Sequence, residues 1–528
     1  MFPVRRSSRA GPILEQKELR MRVHLGLPTA TAIALILGSG AAFAGSDNEA
    51  FLDQTGSGNQ AQITQQGDHN QAGSDSQTNL ILRQSGTAND LTIFQRGSNN
   101  AVGLVPQGID QYTSNPAYGG NKATINQYTS GNLVNTVQQH NALSVQAVQA
   151  NLLTINQGTA SDSTANNSAN IVTKIMQVRA NGGGVNTISI DQSGADGAGN
   201  LVGKGPAFGG GAGSGVGGIY QNGNTNWASV SQSGSDNALE YISQGGTIPT
   251  STGTPGAGQS NMATVGQTGS GNRVLFVKQA SAVNSTDPGN VATITENGSG
   301  NTVDTLEQDS RGGAIANSAT ISLIGTDNGV GSLIGAALAS GATNSSIYQT
   351  GSGNQVDMSV TADDNLFGFY QEGNGNEATG IVITGDDNQL GVHQIGDSNS
   401  LALSTISGMG NNIGLDQYGS TNTATVNISG SFNGGGTFSG AAAGVAGSNP
   451  SGLIIQHGSS LTTGLNDVSL TIDTDSNQFS LVQMGDGNAI DGWINTGTAN
   501  QVAVAQTGDN NVANFTQSGD GNNIGISQ

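Results

Sequence analysis

Between residues 349 and 433 apolar and polar positions alternate along short segments. Val356, Met358 and Val360 follow Asn354; Phe367, Phe369 and Gln371 follow Asn365; Leu390, Val392 and Gln394 follow Asn388. A period of two places these side chains on one face of a strand. The Gln, Asp, Ser, Thr, Gly and Asn residues between them suit a solvent face. Gly-x-x-Asn separates the segments and reads as a turn, because Gly accepts positive φ freely and Asn tolerates it better than most. No helical period competes. The closing Asn recurs at 354, 365, 376, 388, 399, 411, 422 and 433. Each half-repeat of eleven or twelve residues is therefore one strand and one turn. The residue opening the phrase alternates, through Gln349, Val360, Gln371, Ile383, Gln394, Ile406, Gln417 and Ile428. The full repeat is thus about 22–23 residues, in two similar halves.

The phrase Gln-x-Gly-x-x-Asn runs through the chain, opening at Gln54, Gln65, Gln84, Gln95, Gln221, Gln232, Gln267, Gln349, Gln371, Gln394, Gln417, Gln483, Gln506 and Gln517. It predicts an all-β fold, a β-solenoid of stacked strand-turn-strand (β-arch) rungs with strands about 4.8 Å apart. A buried unpaired amide costs about 1–3 kcal/mol. In an in-register stack each inward Gln donates to one neighbour and accepts from the other, so the cost survives only at the ends. Candidate ladder residues are Gln54, Gln65, Gln84, Gln95, Gln349, Gln371, Gln394, Gln417, Gln483, Gln506, Gln517 and Gln528. With them stand Asn59, Asn70, Asn354, Asn376, Asn399, Asn422, Asn488, Asn511 and Asn522. Candidate turn glycines are Gly56, Gly67, Gly351, Gly373, Gly396, Gly419, Gly485, Gly508 and Gly519. Gln506, Gln517 and Gln528 fill three consecutive halves, which predicts that this end of the stack is the richest in amides and open to another molecule.

The chain divides accordingly. Met21-Arg22-Val23-His24, the apolar run Thr31–Leu37 and Ala42-Phe43-Ala44 make residues 21–44 a secretory signal peptide, with cleavage expected after Ala44. Residues 1–20 lack such logic, so they read as an over-extended N-terminus, with Met21 the alternative start to Met1. Repeats are expected over 45–101, 219–432 (with a loop at 247–259) and 451–528. Residues 102–202 keep the composition but hold register poorly, and ladder defects are expected there. Gly-rich tracts at 203–218 and 433–450 read as loops.

Composition narrows the function. Gly accounts for 83 of 528 residues, charged residues for 10 % and aromatics for 4 %, which suits a thin repeated core better than a thick globular one. Six of the fifteen basic residues and two of the 36 acidic ones lie in the first 44 positions, leaving nine basic and 34 acidic residues, a net −25. That excludes a basic groove for nucleic acid or a grip on anionic lipid. Scattered Asp reads as a solubilising charge. The absence of Cys excludes disulfides and Cys-metal chemistry. No stretch after residue 44 reaches membrane-spanning length.

Gln54-x-Gly56-x-x-Asn59-x-Ala61-x-Ile63-x-Gln65 and Gln506-x-Gly508-x-x-Asn511-x-Ala513-x-Phe515-x-Gln517 resemble the curlin repeat. The resemblance covers most of the region from Gln54 to Gln528. It implies a secreted subunit of a curli-like amyloid fibre, a pilus- or fimbria-type appendage of the bacterial surface acting in adhesion and biofilm matrix. It also implies self-polymerisation, a nucleator and an outer-membrane secretion pore. The chain holds several times more repeats than such subunits, and the Ser that often opens each family repeat is irregular here.

Other readings are weaker. Gly67-Asp68, Gly385-Asp386-Asp387, Gly485-Asp486-Gly487 and Gly519-Asp520-Gly521 suggest calcium-binding repeats, but those need Asp every nine residues and the period here is eleven. A β-helix enzyme would gather carboxylates or basic residues on one face. Here His69, His140, His393 and His457 fit no metal or triad spacing, and no phosphate loop or nucleophile elbow occurs. Neither an enzymatic role nor a cofactor is expected. A secreted β-solenoid adhesin that never polymerises is the main rival; an ice binder would need Thr-x-Thr columns.

Overall fold

The structure, a computed structural model, describes residues 21–26, 47–55, 58–73, 82–86, 88–103, 108–113, 120–141, 151–159, 169–179, 185–194, 199–203, 217–245, 258–281, 289–311, 315–402 and 404–528. Residues 1–20, most of the expected signal segment including Ala42 and Ala44, the tracts 204–216 and 246–257, and Gly56 lie outside them.

Successive strands alternate between two parallel sheets. The first sheet starts with Glu49–Thr55 and reaches Asn523–Ser527; the second runs from Gln60–Gln66 to Val512–Gln517. Each strand pairs in parallel with the strand of the same sheet one repeat later. Leu366–Glu372 lies against Gln389–Ile395, which lies against Asn412–Tyr418. Between them in sequence, Glu377–Thr384 belongs to the second sheet. Every rung contacts the next, so the described repeats form one stack. Its core is a continuous thin layer between the two sheets, from Leu52 and Ile63 at one end to Val504 and Phe515 at the other. The backbone of Met21–Gly26 adds a further parallel strand to the edge of Glu49–Thr55.

Three features depart from the sequence reading. Positive φ falls on the phrase glycine and on the residue just before the Asn, not on the Asn: Gly351 and Gly353 precede Asn354, and Ser398 (φ 60°) precedes Asn399. The tract 433–450 is more than a loop, because it contains the helix Gly440–Ala446. A second helix, Gly335–Ala339, interrupts the repeats where none was expected. Both lie on the outer face of the first sheet.

Candidate functional site: the amide columns

The Gln residue of each half-repeat points into the layer between the sheets. In the first sheet one column contains Gln54, Gln84, Gln349, Gln371, Gln394, Gln417, Gln483, Gln506 and Gln528. Gln65, Gln95 and Gln517 belong to the second sheet. Sequence neighbours such as Gln54 and Gln65 therefore never share a ladder.

In the first sheet the ladder is unbroken from Gln221 through Gln244, Gln279, Gln308, Gln349, Gln371, Gln394, Gln417, Gln456, Gln483 and Gln506 to Gln528. Each Nε2 donates to the next Oε1 over 2.7–3.2 Å. The second Nε2 hydrogen crosses the layer to a backbone carbonyl, as from Gln371 to Gln355 (3.1 Å). Both donor hydrogens of a fully buried amide are thus satisfied, so the inward Gln carries no desolvation penalty. The column is defective between Gln111 and Gln221. There the Oε1 atoms of Gln139, Gln177 and Gln221 have no partner among the described residues, although the backbone register continues.

The second sheet divides in two. Gln65, Gln95, Gln127, Gln157, Gln192, Gln232 and Gln267 form a ladder of 2.8–3.0 Å bonds. Gln267 then donates to Glu296 Oε2 at 2.8 Å. Beyond Glu296 the same column is aliphatic: Leu323, Val360, Ile383, Ile406, Ile428, Ile472 and Ile494. It closes on Gln517, whose Oε1 has no partner among the described residues. Two Gln columns run side by side only in the N-terminal half. The expectation that the 506–528 end is the amide-richest is therefore wrong. The alternation of Gln with Val or Ile in the later repeats records two sheets with two different columns.

Burial pushes the Glu296 carboxyl up to about 8, against a smaller lowering by the Gln267 bond. Its other oxygen has no partner among the described residues, and the residue stands at the junction between the two column chemistries, between Gln267 and Leu323.

The Asn residues form two further columns at the turns. Asn59, Asn354, Asn376, Asn399, Asn422, Asn488 and Asn511 precede strands of the second sheet; Asn70 and Asn522 precede strands of the first. Except in Asn511 and Asn522, the last of their columns, each Oδ1 accepts the backbone N–H of the Asn one rung later: Asn376 to Asn354 at 3.0 Å, Asn399 to Asn376 at 3.1 Å, Asn522 to Asn500 at 3.0 Å. The Gln and Asn columns thus donate in opposite directions along the stack.

Gly67, Gly351, Gly373, Gly396, Gly419, Gly485, Gly508 and Gly519 all have positive φ, between 92° and 117°. Most of them also sit on the backbone of the following rung. A Cβ on Gly373 would fall 2.1 Å from the Gly396 carbonyl oxygen, so only Gly fits. The Asp residues of the Gly-Asp phrases build a further column. Asp386 Oδ1 accepts from Asp363 N (3.1 Å), Asp509 Oδ1 from Asp486 N (2.9 Å) and Asp520 Oδ1 from Thr498 N (2.8 Å). These carboxylates tie turn to turn, a role that the reading as solubilising charge missed.

Sequence spacing also missed His393 and His457, 64 positions apart, which bracket Asp416 at 2.9 Å each on the outer face of the first sheet. The ladder residues Gln127, Gln157 and Gln192 were missed because the turn phrase does not follow them. Their strands still carry a usable signal, as in Asn151-x-Leu153-x-Ile155-x-Gln157.

No curated protein matches the chain. Residues 217–244 match the family model of the curlin associated repeat. The matched segment spans the strands Gly218–Asn224 and Trp227–Ser235 and nearly all of Ala238–Gly245. It thus includes one passage through both sheets with Gln221, Gln232 and Gln244 in their columns. Residues 217–244 are thus similar to a curlin associated repeat, built here as a β-solenoid rung.

Proposed function

We propose that this chain is a structural, non-catalytic subunit of an extracellular curli-like amyloid fibre. It would be secreted to the bacterial surface and would act in adhesion and biofilm matrix. The observation that carries the reading is the directional column. Every Gln-to-Gln bond in the unbroken ladder points one way and every Asn-to-Asn bond of the turn columns the other, so one stack continues another only head to tail. At one face Gln528 and the strand edges of Val512–Gln517 and Asn523–Ser527 have no following rung among the described residues. At the other face the edge of Gln60–Gln66 has no preceding one. Exposed parallel edges of this kind recruit further strands. A nucleator and an outer-membrane pore belong to the same reading, through the curlin family.

The test is incubation of the purified chain at micromolar concentration, followed by amyloid-dye binding and diffraction from aligned fibres. Dye-positive fibres with meridional spacing of about 4.8 Å are expected. A chain that stays monomeric for days is instead a non-polymerising adhesin.

A further inference from the structure

The two helical insertions are built alike. Each enters through an extended residue (Ile334, φ −130°; Ser439, φ −131°) and a glycine of positive φ (Gly335, 55°; Gly440, 54°). Each is clamped to the outer face of the first sheet by the same three bonds. Gln389 Oε1 accepts from Ile334 N (2.9 Å), Asn412 Oδ1 from Ala337 N (2.9 Å), and Asn412 Nδ2 donates to the Ile334 carbonyl (2.9 Å). In the second clamp Gln501 accepts from Ser439 N (2.7 Å), Asn523 from Ala442 N (2.8 Å), and Asn523 donates to the Ser439 carbonyl (2.7 Å). Each helix also presses on a glycine that leaves room for its backbone, Gly414 under the Ala336 carbonyl and Gly525 under that of Ala441.

The offset along the stack is the same. The first insertion precedes Ser346–Thr350 and binds the strands two and three rungs on, Gln389–Ile395 and Asn412–Tyr418. The second precedes Leu453–His457 and binds Gln501–Thr507 and Asn523–Ser527, again two and three rungs on.

The clamps differ in one respect. The first helix also covers the fourth rung on: Ala336 meets Gly452 beside Leu453 and is fully buried. Its counterpart Ala441 is exposed, while the next residue is buried in both helices (Ala337 and Ala442). The second clamp thus holds two of the three rungs that the first holds, with no fourth rung on beneath it among the described residues.

We infer that the helix Gly440–Ala446 is a docking lip for a second copy of this chain, whose leading rung fills the place that Gly452 and Leu453 fill under the first helix. This rests on the fibre reading above and adds the surface that receives the incoming molecule. In the strand Glu49–Thr55, whose edge is free of Met21–Gly26 once the chain is cleaved after Ala44, Ala50 stands four residues before the ladder Gln54, as Gly452 stands four before Gln456. The extra methyl needs the helix to yield slightly, since the Ala336 methyl already lies 3.0 Å from a Cβ built on Gly452. The seat is outside the core and the strand edges, so it can be blocked without touching either.

The experiment compares Ala441→Arg with Gly444→Arg, both in the chain from Gly45 to Gln528, because Met21–Gly26 otherwise covers the edge of Glu49–Thr55. Gly444 lies on the same helix with open space around it. Matching melting curves establish that both variants fold. Elongation of wild-type seeds by each is followed by dye fluorescence and by counting fibre lengths. Ala441→Arg is expected to slow elongation by roughly tenfold or more and to act as a substoichiometric terminator when mixed with wild type; Gly444→Arg is expected to stay within about twofold. Ala441→Gly, which relieves the methyl, is expected to elongate at least as fast as wild type. Equal elongation by the two Arg variants overturns the lip while leaving the fibre reading intact. Absence of fibres from the wild-type chain overturns both.

Discussion

The second sheet performs one structural task with two chemistries. From Gln65 to Gln267 its inward column is an amide ladder; from Leu323 to Ile494 it is a stack of aliphatic side chains. The backbone does not distinguish them. Both stretches have parallel in-register strands, Asn columns and positive-φ glycines seated on the next rung. What each half requires is uniformity, because a Gln is satisfied only by another Gln and an Ile only by apolar neighbours. Cost therefore concentrates at the seams, at Glu296 and Gln517, where one oxygen of each has no partner among the described residues.

The largest expected effect is at the first seam. The folded-state pKa of Glu296 is raised, from an ordinary value of 4.5 to about 8. The folded state therefore holds the proton more tightly than the unfolded chain. The contribution of this group is fully present below about pH 4.5, declines as pH rises towards 8, and above that has lost on the order of 5 kcal/mol. Glu296→Gln should flatten that dependence, making the variant the more stable protein at pH 9 and nearly equal to wild type at pH 4. Urea unfolding at the two pH values measures it. A wild type with no loss between pH 5 and 9 would contradict the seam.

The shared scaffold predicts an equal penalty in both halves. Gly67→Ala and Gly373→Ala place a Cβ at 2.1 Å from the carbonyl oxygen of Gly97 and of Gly396 respectively. Each should cost about 3 kcal/mol or more in local stability, seen as lost amide-exchange protection in the flanking rungs.

The columns themselves should respond in opposite ways. Ile406→Gln leaves an amide between Ile383 and Ile428 and should cost about 2–3 kcal/mol. Changing Ile383, Ile406 and Ile428 together to Gln should cost less than three times that figure, because the amides then bond to one another. Additive costs would show that ladders do not stabilise the column. In the other half Gln157→Leu should cost about 1–2 kcal/mol, through the lost bonds to Gln127 and Gln192.

Much of this was readable from residue order. The period of two, the glycine turns and the 22–23-residue repeat specify strands, turns and stacking, because each rests on local steric and hydrophobic rules. The assignment of halves to sheets was not readable in the same way, since Gln54 and Gln65 look alike and only the topology separates them. Single-residue slips hid other members. Asn301 and Gln308 stand seven apart where Asn365 and Gln371 stand six apart, and Ser310 stands where the phrase needs its Gly, so a fixed phrase passed over Gln308. The clamps were illegible for a different reason. A run such as Gly440-Ala441-Ala442-Ala443 has the composition of a loop, and it becomes a helix where Gly525 and Asn523 offer it a seat.

The most direct test of the central claim is an intermolecular contact in fibres grown from an equal mixture of ¹⁵N-Gln-labelled and ¹³C-Gln-labelled chains, measured by solid-state NMR. The account predicts a through-space correlation between Gln side chains of different molecules, at the intensity of two ladder junctions per chain (Gln528 with Gln54 and Gln517 with Gln65), its reduction in Gln528→Leu and its loss in the double variant Gln517→Leu/Gln528→Leu. A correlation that survives the double variant, or none at all from dye-positive fibres, would contradict head-to-tail continuation of the amide columns.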